Sequence, residues 1–220
     1  MVCFFALRKS YLAVLVLIIA SISGSAKGVI KEDRQELNRY CKESVLSDLL
    51  RRTEHGDSDA LYEHGLLLIF GHCLQTNLPK GLFLLKSAVS KGHIEAAVSL
   101  GDIYADKSLS DLYDIGEAQK YLLFAANNNH VLAQHILGII LIRGDLGIDK
   151  RSQGLYWLGV AASERHALSA LTVGHLYEYG KYGIAQDPCL ARDWYELCLY
   201  LGISSAGNFI ATIDASHTCK

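Results

Sequence analysis

The residues of this 220-residue chain that could do chemistry are its 6 cysteines and 9 histidines. A cysteine can pair as a disulfide, ligate a metal or attack an electrophile, and each use demands different surroundings. His55, His64, His72 and Cys73 are the densest group of potential metal donors, but their spacing fits none of the common zinc patterns. Cys198 is the candidate nucleophile, and it sits in an apolar phrase where a thiol is inert. No Gly-rich phosphate loop, nucleophile elbow or pair of catalytic carboxylates occurs at a usable spacing. The inventory points to a non-enzymatic protein with no metal and no cofactor.

Composition narrows the class further. Half the residues are apolar, with 19 Gly and 2 Pro, which suits a folded chain rather than a linker. A formal net charge of −2 lacks the basic excess that phosphate neutralisation needs, so no nucleic-acid partner is expected. At the start, Arg8 and Lys9 precede an apolar run from Tyr11 to Ala20, and Gly24, Ser25 and Ala26 supply the small residues a signal peptidase reads. Residues 1–26 therefore read as a cleavable secretory signal, which makes the protein exported, periplasmic or extracellular. The alternative is an uncleaved anchor, but about 10 to 14 apolar residues fall short of the roughly 20 that span a bilayer. A stable membrane anchor is not expected, and Cys3 lies on the wrong side of the run for a lipoprotein. Cleavage removes two positive charges, Arg8 and Lys9, taking the net charge from −2 to −4.

The elements that must position these residues follow from a period. Gly65, Gly101, Gly138 and Gly174 recur at separations of 36, 37 and 36 residues, each inside a similar apolar phrase. Five residues before the glycine stands Ala60, Ala96, Ala133 or Ser169, and three after it Leu68, Tyr104, Leu141 or Tyr177. These offsets mark one side of a helix of about 12 to 14 residues, helix A, with small residues where a neighbour passes close. A second phrase, helix B, begins at Gly81, Ala118, Gly154 and Ala191, carrying bulky apolar residues and then small pairs such as Ala125 and Ala126. Tyr156, Trp157, Trp194 and Tyr195 lie in it and are expected in the core. Short loops join A to B, and single tight turns at Gly92, Asn129, Arg165 and Gly202 lead to the next unit, so successive helices lie antiparallel. The expected array runs from Glu32 to Asp214, with pairs at 57–93, 94–130, 131–166 and 167–202. An amphipathic helix from Asp33 to Glu54 within 27–56 caps the front, and one from Ser205 to Ala215 within 203–220 caps the back.

Antiparallel hairpins sort the cysteines. Cys41 lies about 15 residues before the turn near His55 and Gly56, and Cys73 about 16 beyond it, so the two end level. Cys189 and Cys219 stand in the same relation about the turn near Ile203. Both pairs are expected disulfides, in keeping with export. Pairing Cys189 with Cys198 instead would need to close about 13 Å of helix, beyond the roughly 7 Å a disulfide allows. Cys198 is left free and packed.

With these phrases in view, the chain resembles the Sel-one-like repeat family, relatives of tetratricopeptide repeats. Ala170, Gly174, Tyr177, Gly180, Gly183, Asp187, Ala191, Trp194, Tyr195 and Gly202 follow its pattern in the fourth repeat. In the third, Ala133, Leu137, Gly138, Gly144, Gly147, Asp149, Tyr156, Trp157, Ala161 and Ala162 do so. The first two repeats lack the paired loop glycines, and residues 106–114 form an unusual connector. The resemblance implies an all-α fold, an alpha-alpha superhelix or solenoid of four helix pairs with capping helices, whose A helices line a concave protein-binding face. Transferred by position, that face carries Asp59, Tyr62, Glu95, Asp102, Asp106, His135, Arg143, His175, Glu178 and Tyr179, with Phe70 adding anchor area. Five carboxylates against one arginine imply a basic peptide or loop of another protein. The family also implies particular roles: a periplasmic immunity protein occluding a toxin such as a type VI phospholipase effector, an envelope-signalling or host-interaction protein, or a cysteine-rich binder or hydrolase of beta-lactams.

Overall fold

The computed structural model describes residues 41–147, 150–216 and 219. The expected leader, the first part of the front cap and Asp149 lie outside those residues. Ten helices and no strand make up what is described, so the chain is all-α. They are α1 (Glu43–Glu54), α2 (Ser58–Phe70), α3 (Leu78–Ser90), α4 (Ile94–Ala105), α5 (Ile115–Asn127), α6 (Val131–Arg143), α7 (Arg151–Ser163), α8 (Ala167–Tyr179), α9 (Pro188–Tyr200) and α10 (Ala206–Ser216). Two compact units divide the chain after His93. The first holds α1 and the pair α2–α3; the second holds the pairs α4–α5, α6–α7 and α8–α9 with α10 behind them.

The loops show why three of the four pairs form. Asn77, Asp114 and Asp187 are the N-caps of α3, α5 and α9, their side chains accepting from Lys80, from Gly116 and Glu117, and from Leu190. The backbone N–H of the same three residues donates to Leu68, Tyr104 and Tyr177 at 2.9 Å each. One loop residue therefore both starts helix B and ties it to the last turn of helix A. A cap of this type contributes about 1 kcal/mol. At the opposite ends, within the second unit, the chain reverses through left-handed residues at Asn129, Arg165 and Gly202, and Gly92 of the first unit is left-handed too. Asn129 and Arg165 hold φ of 60° and 67°, a conformation that carries a steric cost for any residue with a Cβ.

Close approach of A and B accounts for the glycine period. A Cβ on Gly65, Gly101, Gly138 or Gly174 would lie 2.5 to 3.0 Å from Leu85, Leu122, Leu158 or Tyr195 of the facing helix. All four receiving side chains have no exposed surface. Burying a leucine this fully contributes about 1.5 to 3 kcal/mol, and a side chain on the glycine would forfeit the contact. The small residues that flank it, Ala60, Ala96, Ala133 and Ser169, are fully buried as well.

Capping helices α1 and α10 close on their neighbours through few residues. Leu49 of α1 packs with Ala60 and Leu67, while Ala206 and Ile213 of α10 pack with Ala191, Tyr195 and Cys198. Cys41 and Cys73 stand at disulfide distance with Cα atoms 4.9 Å apart, as do Cys189 and Cys219 at 5.2 Å. Cys198 is free and buried, its thiol donating to the Ala167 carbonyl at 3.6 Å. One core expectation is corrected. Trp157 and Tyr195 are buried and Trp194 is half-buried, but Tyr156 is 62% exposed. Gly154, Trp157, Leu158 and Ala161 form the packed face of α7, and Tyr156, two residues past Gly154, projects off it.

Candidate functional site

The exposed side of the A helices carries the expected partner residues, and the structure sorts them into two groups. In the first unit Asp59 is exposed, with His93 Nε2 3.4 Å from its carboxylate, and Tyr62 stacks on His93 with ring centroids 4.5 Å apart. Phe70 lies partly exposed at the end of α2. In the second unit Glu95 and Asp102 of α4, Arg143 at the end of α6 and Tyr179 at the end of α8 are open to solvent. Asp106 is half-buried and accepts from the Ser108 N–H at 2.8 Å, which helps shape the connector 106–114.

Three others are engaged inward. Glu178 accepts the Tyr195 hydroxyl, and its backbone carbonyl takes Gln186 Nε2 at 2.8 Å. Burial first, and then the Glu178 carboxylate, hold the Tyr195 hydroxyl protonated far above its usual range. His175 is surrounded by the rings of Phe209, Tyr195 and Tyr179 at 5.0, 5.6 and 6.0 Å. Burial lowers its pKa, with Glu178 opposing that shift and Lys181 adding to it. His135 places Nδ1 2.9 Å from the Ser169 hydroxyl, and burial followed by His166 lowers its pKa to about 4.

Asp102 has the most telling electrostatics of the open group. Its surroundings desolvate the carboxyl and the charge of Asp106 opposes its own, so its pKa stands above the ordinary aspartate value. For an acid raised in the folded state, stability declines as pH rises from the ordinary aspartate range through the raised one. Asp102→Asn is therefore expected to raise the urea midpoint at pH 7 and to leave it unchanged at pH 3. Equal midpoints for the two proteins at pH 7 would show that the charge carries no strain.

Ser169, His166, Phe209 and His93 belong to these contacts, yet sequence reasoning passed over them as site residues. A signal existed: His93, His130 and His166 recur at separations of 37 and 36 residues at the starts of A helices. His64 replaces the apolar residue that Leu100, Leu137 and Val173 supply elsewhere, and it is buried with Nδ1 meeting no hydrogen-bond partner among the described residues. Among the described residues no three His, Cys, Asp or Glu side chains converge in a way that could hold a metal ion.

Comparison with known proteins gives a consistent picture of the fold. The sequence model of the Sel1 repeat matches residues 58–93, 94–130, 131–166 and 167–202. No curated protein matches the chain. Among solved structures it is similar to a Sel1 repeat protein from Oxalobacter formigenes, with a TM-score of 0.64 and 19% identity over 81% of this chain and 74% of that one. A protective antigen of uropathogenic Escherichia coli with an SLR fold gives 0.43 and 18%, covering 85% of this chain and 50% of that one. The immunity protein Pa5087 from Pseudomonas aeruginosa gives 0.45 and 16%, covering 79% and 75%.

Proposed function

This chain belongs to the Sel1 repeat family, whose members are typically protein-binding scaffolds, and from that premise we propose that it is an exported, non-enzymatic adaptor. It binds a basic peptide or loop of another protein through the exposed side of its A helices. The observation that carries the reading is the pair Asp102 and Asp106, whose charges oppose each other and which an incoming ammonium or guanidinium would relieve. The leader-like residues 1–26 and the two cysteine pairs support export, with the periplasm as destination. In the sharpest form the partner is a secreted antibacterial toxin, for example a type VI phospholipase effector, occluded by this protein acting as its immunity factor. An envelope-signalling or host-interaction role would use the same face, and the identity of the partner separates the two.

The test is capture of partners from the envelope and medium of the native cells by the full chain tagged at its carboxyl end. One stoichiometric partner is expected, with binding weakened at least tenfold by Asp102→Lys together with Glu95→Lys and by raising the salt. Glu178→Lys is a poor probe, because it removes the acceptor of the buried Tyr195 hydroxyl. A partner indifferent to both charge reversals and to salt would refute the acidic face, and turnover of a beta-lactam by the pure protein would refute the non-enzymatic reading.

A further inference from the structure

Two histidines of the third repeat share one buried hydroxyl of the fourth. Nδ1 of His135, on α6, and Nδ1 of His166, at the start of α8, lie 2.9 and 2.8 Å from Ser169 Oγ, and the two rings are 4.8 Å apart. Ser169 has no exposed surface. A serine hydroxyl has one proton to give, so the arrangement is satisfied when one ring donates Nδ1–H to Oγ and Oγ–H donates to the other ring. Both rings are then neutral. One ring can take a second proton at Nε2 while it donates Nδ1–H, because Oγ–H then donates to the other. Protonating both sets two N–H donors against Oγ, strands the hydroxyl proton where water does not reach, and brings a second cation against the first.

The neighbouring elements offer such a cation little support. His166 is the charged group that acts on His135, and it acts against protonation. On the turn before α6, His130 accepts from the Ala133 N–H and is the ring that Glu95 of α4 influences. The buried faces of α5 and α7, which pack against α6, consist of small, aliphatic and aromatic residues. From α9, packed on α8, come Tyr195 and Cys198, both held protonated by burial. The other repeats carry Ala60, Ala96 and Ala133 where Ser169 stands, so the hydroxyl belongs to this junction alone among the four.

We propose that His135, Ser169 and His166 form a proton-sensitive clasp between the third and fourth repeats, closed while at least one ring is neutral and opened when both are protonated. Opening swings His135 outward onto the A-helix side, where an imidazolium reduces the attraction of Asp102 for a basic partner. The clasp stands without the adaptor reading; its effect on binding rests on that reading.

Ser169→Ala restores the residue of the other repeats and keeps the volume nearly constant, so it is expected to fold. Imidazole resonances of the full chain, assigned with His135→Gln and His166→Gln, are followed by NMR from pH 8 to pH 4. In the wild-type protein one ring takes its proton first without moving the amide signals at the start of α8, and the other titrates only at lower pH, with those signals moving alongside. In Ser169→Ala the protonated fraction of the second ring at a given pH rises at least tenfold, so that the two titrations draw together, and the α8 amides no longer follow. Titrations that are unchanged by Ser169→Ala would overturn the clasp, since burial alone would then hold the rings neutral. Independent titration of the two wild-type rings near the ordinary histidine value would overturn it as well. A working clasp in a protein that captures no partner would count against the adaptor reading only.

Discussion

Gly154→Ala is expected to destabilise the protein by about 2 to 3 kcal/mol, the range of a core forced to accept one extra methyl. The new Cβ would lie 2.7 Å from the Gly138 carbonyl oxygen, 2.7 Å from Ile142 Cγ1 and 3.0 Å from the Ile142 backbone nitrogen. Two of these three are backbone atoms of α6, so no rotamer change can clear them. Relief requires α6 and α7 to move apart, and Leu158 and Ile142 pack in the same core as Val173 and Leu176 of the next repeat. Gly207→Ala makes the control. It lies in the first turn of α10 with open space around its Cβ position, so alanine there is expected to be neutral or stabilising by about 0.5 kcal/mol through backbone entropy. Urea unfolding of the two variants at pH 7 gives the comparison, and a Gly154→Ala midpoint matching that of Gly207→Ala would refute the close approach of α7 to α6 beside Gly138, one residue of the glycine period.

That period was the most legible feature of the sequence, and its physical content explains why. Helix contact at the distance of a bare Cα admits one residue type, so the constraint is written as a letter. The left-handed turns were legible for the same reason at Gly92 and Gly202. Their places at Asn129 and Arg165 followed only from alignment, because nothing in those residue types demands the conformation. Cysteine pairing could be read once the hairpins were placed, since helix rise is fixed and two residues equidistant from a turn must end level.

The inward engagement of Glu178, His135 and His175 could not be read this way. A repeat pattern reports which helix side a position occupies; it does not say what the neighbouring repeat presents there. Ser169 and His166 cover His135, while Tyr195 and Phe209 cover His175; Ser169 and Tyr195 replace the alanine and leucine of the other repeats, and Phe209 comes from the capping helix. Ser169 in place of alanine was visible as a substitution, and its meaning needed the 2.8 and 2.9 Å distances. Tyr156 fails in the opposite sense: the phrase marked it as bulky and apolar, and a rotation of about 200° from Gly154 turned it to solvent.

Loss of the Cys189–Cys219 link is expected to have the largest effect on stability. Its loop spans 30 residues, and chain entropy alone assigns such a closure about 3 to 4 kcal/mol, equivalent to a fall in Tm of about 10 °C for a chain of this size. The effect should be local before it is global. Among the residues of α10, Ala206 and Ile213 are the fully buried ones, with Phe209 and Ile210 partly covered, so without the link this helix has little to hold it. Its release opens the Tyr195–Phe209 stack, now 5.0 Å between ring centroids, and uncovers Cys198 in the same cluster. Cys198 therefore reports the event. In the variant Cys189→Ser, Cys219→Ser its labelling by a thiol reagent should accelerate at least a hundredfold at temperatures well below the Tm, while the wild-type thiol stays protected. An unchanged labelling rate with a lowered Tm would mean that α10 stays docked and that the link acts on the unfolded chain alone. The same reasoning applies at Cys41 and Cys73, where α1 is held by Leu49 as its fully buried residue. Cysteine pairs that hold both terminal helices are compatible with an exported protein.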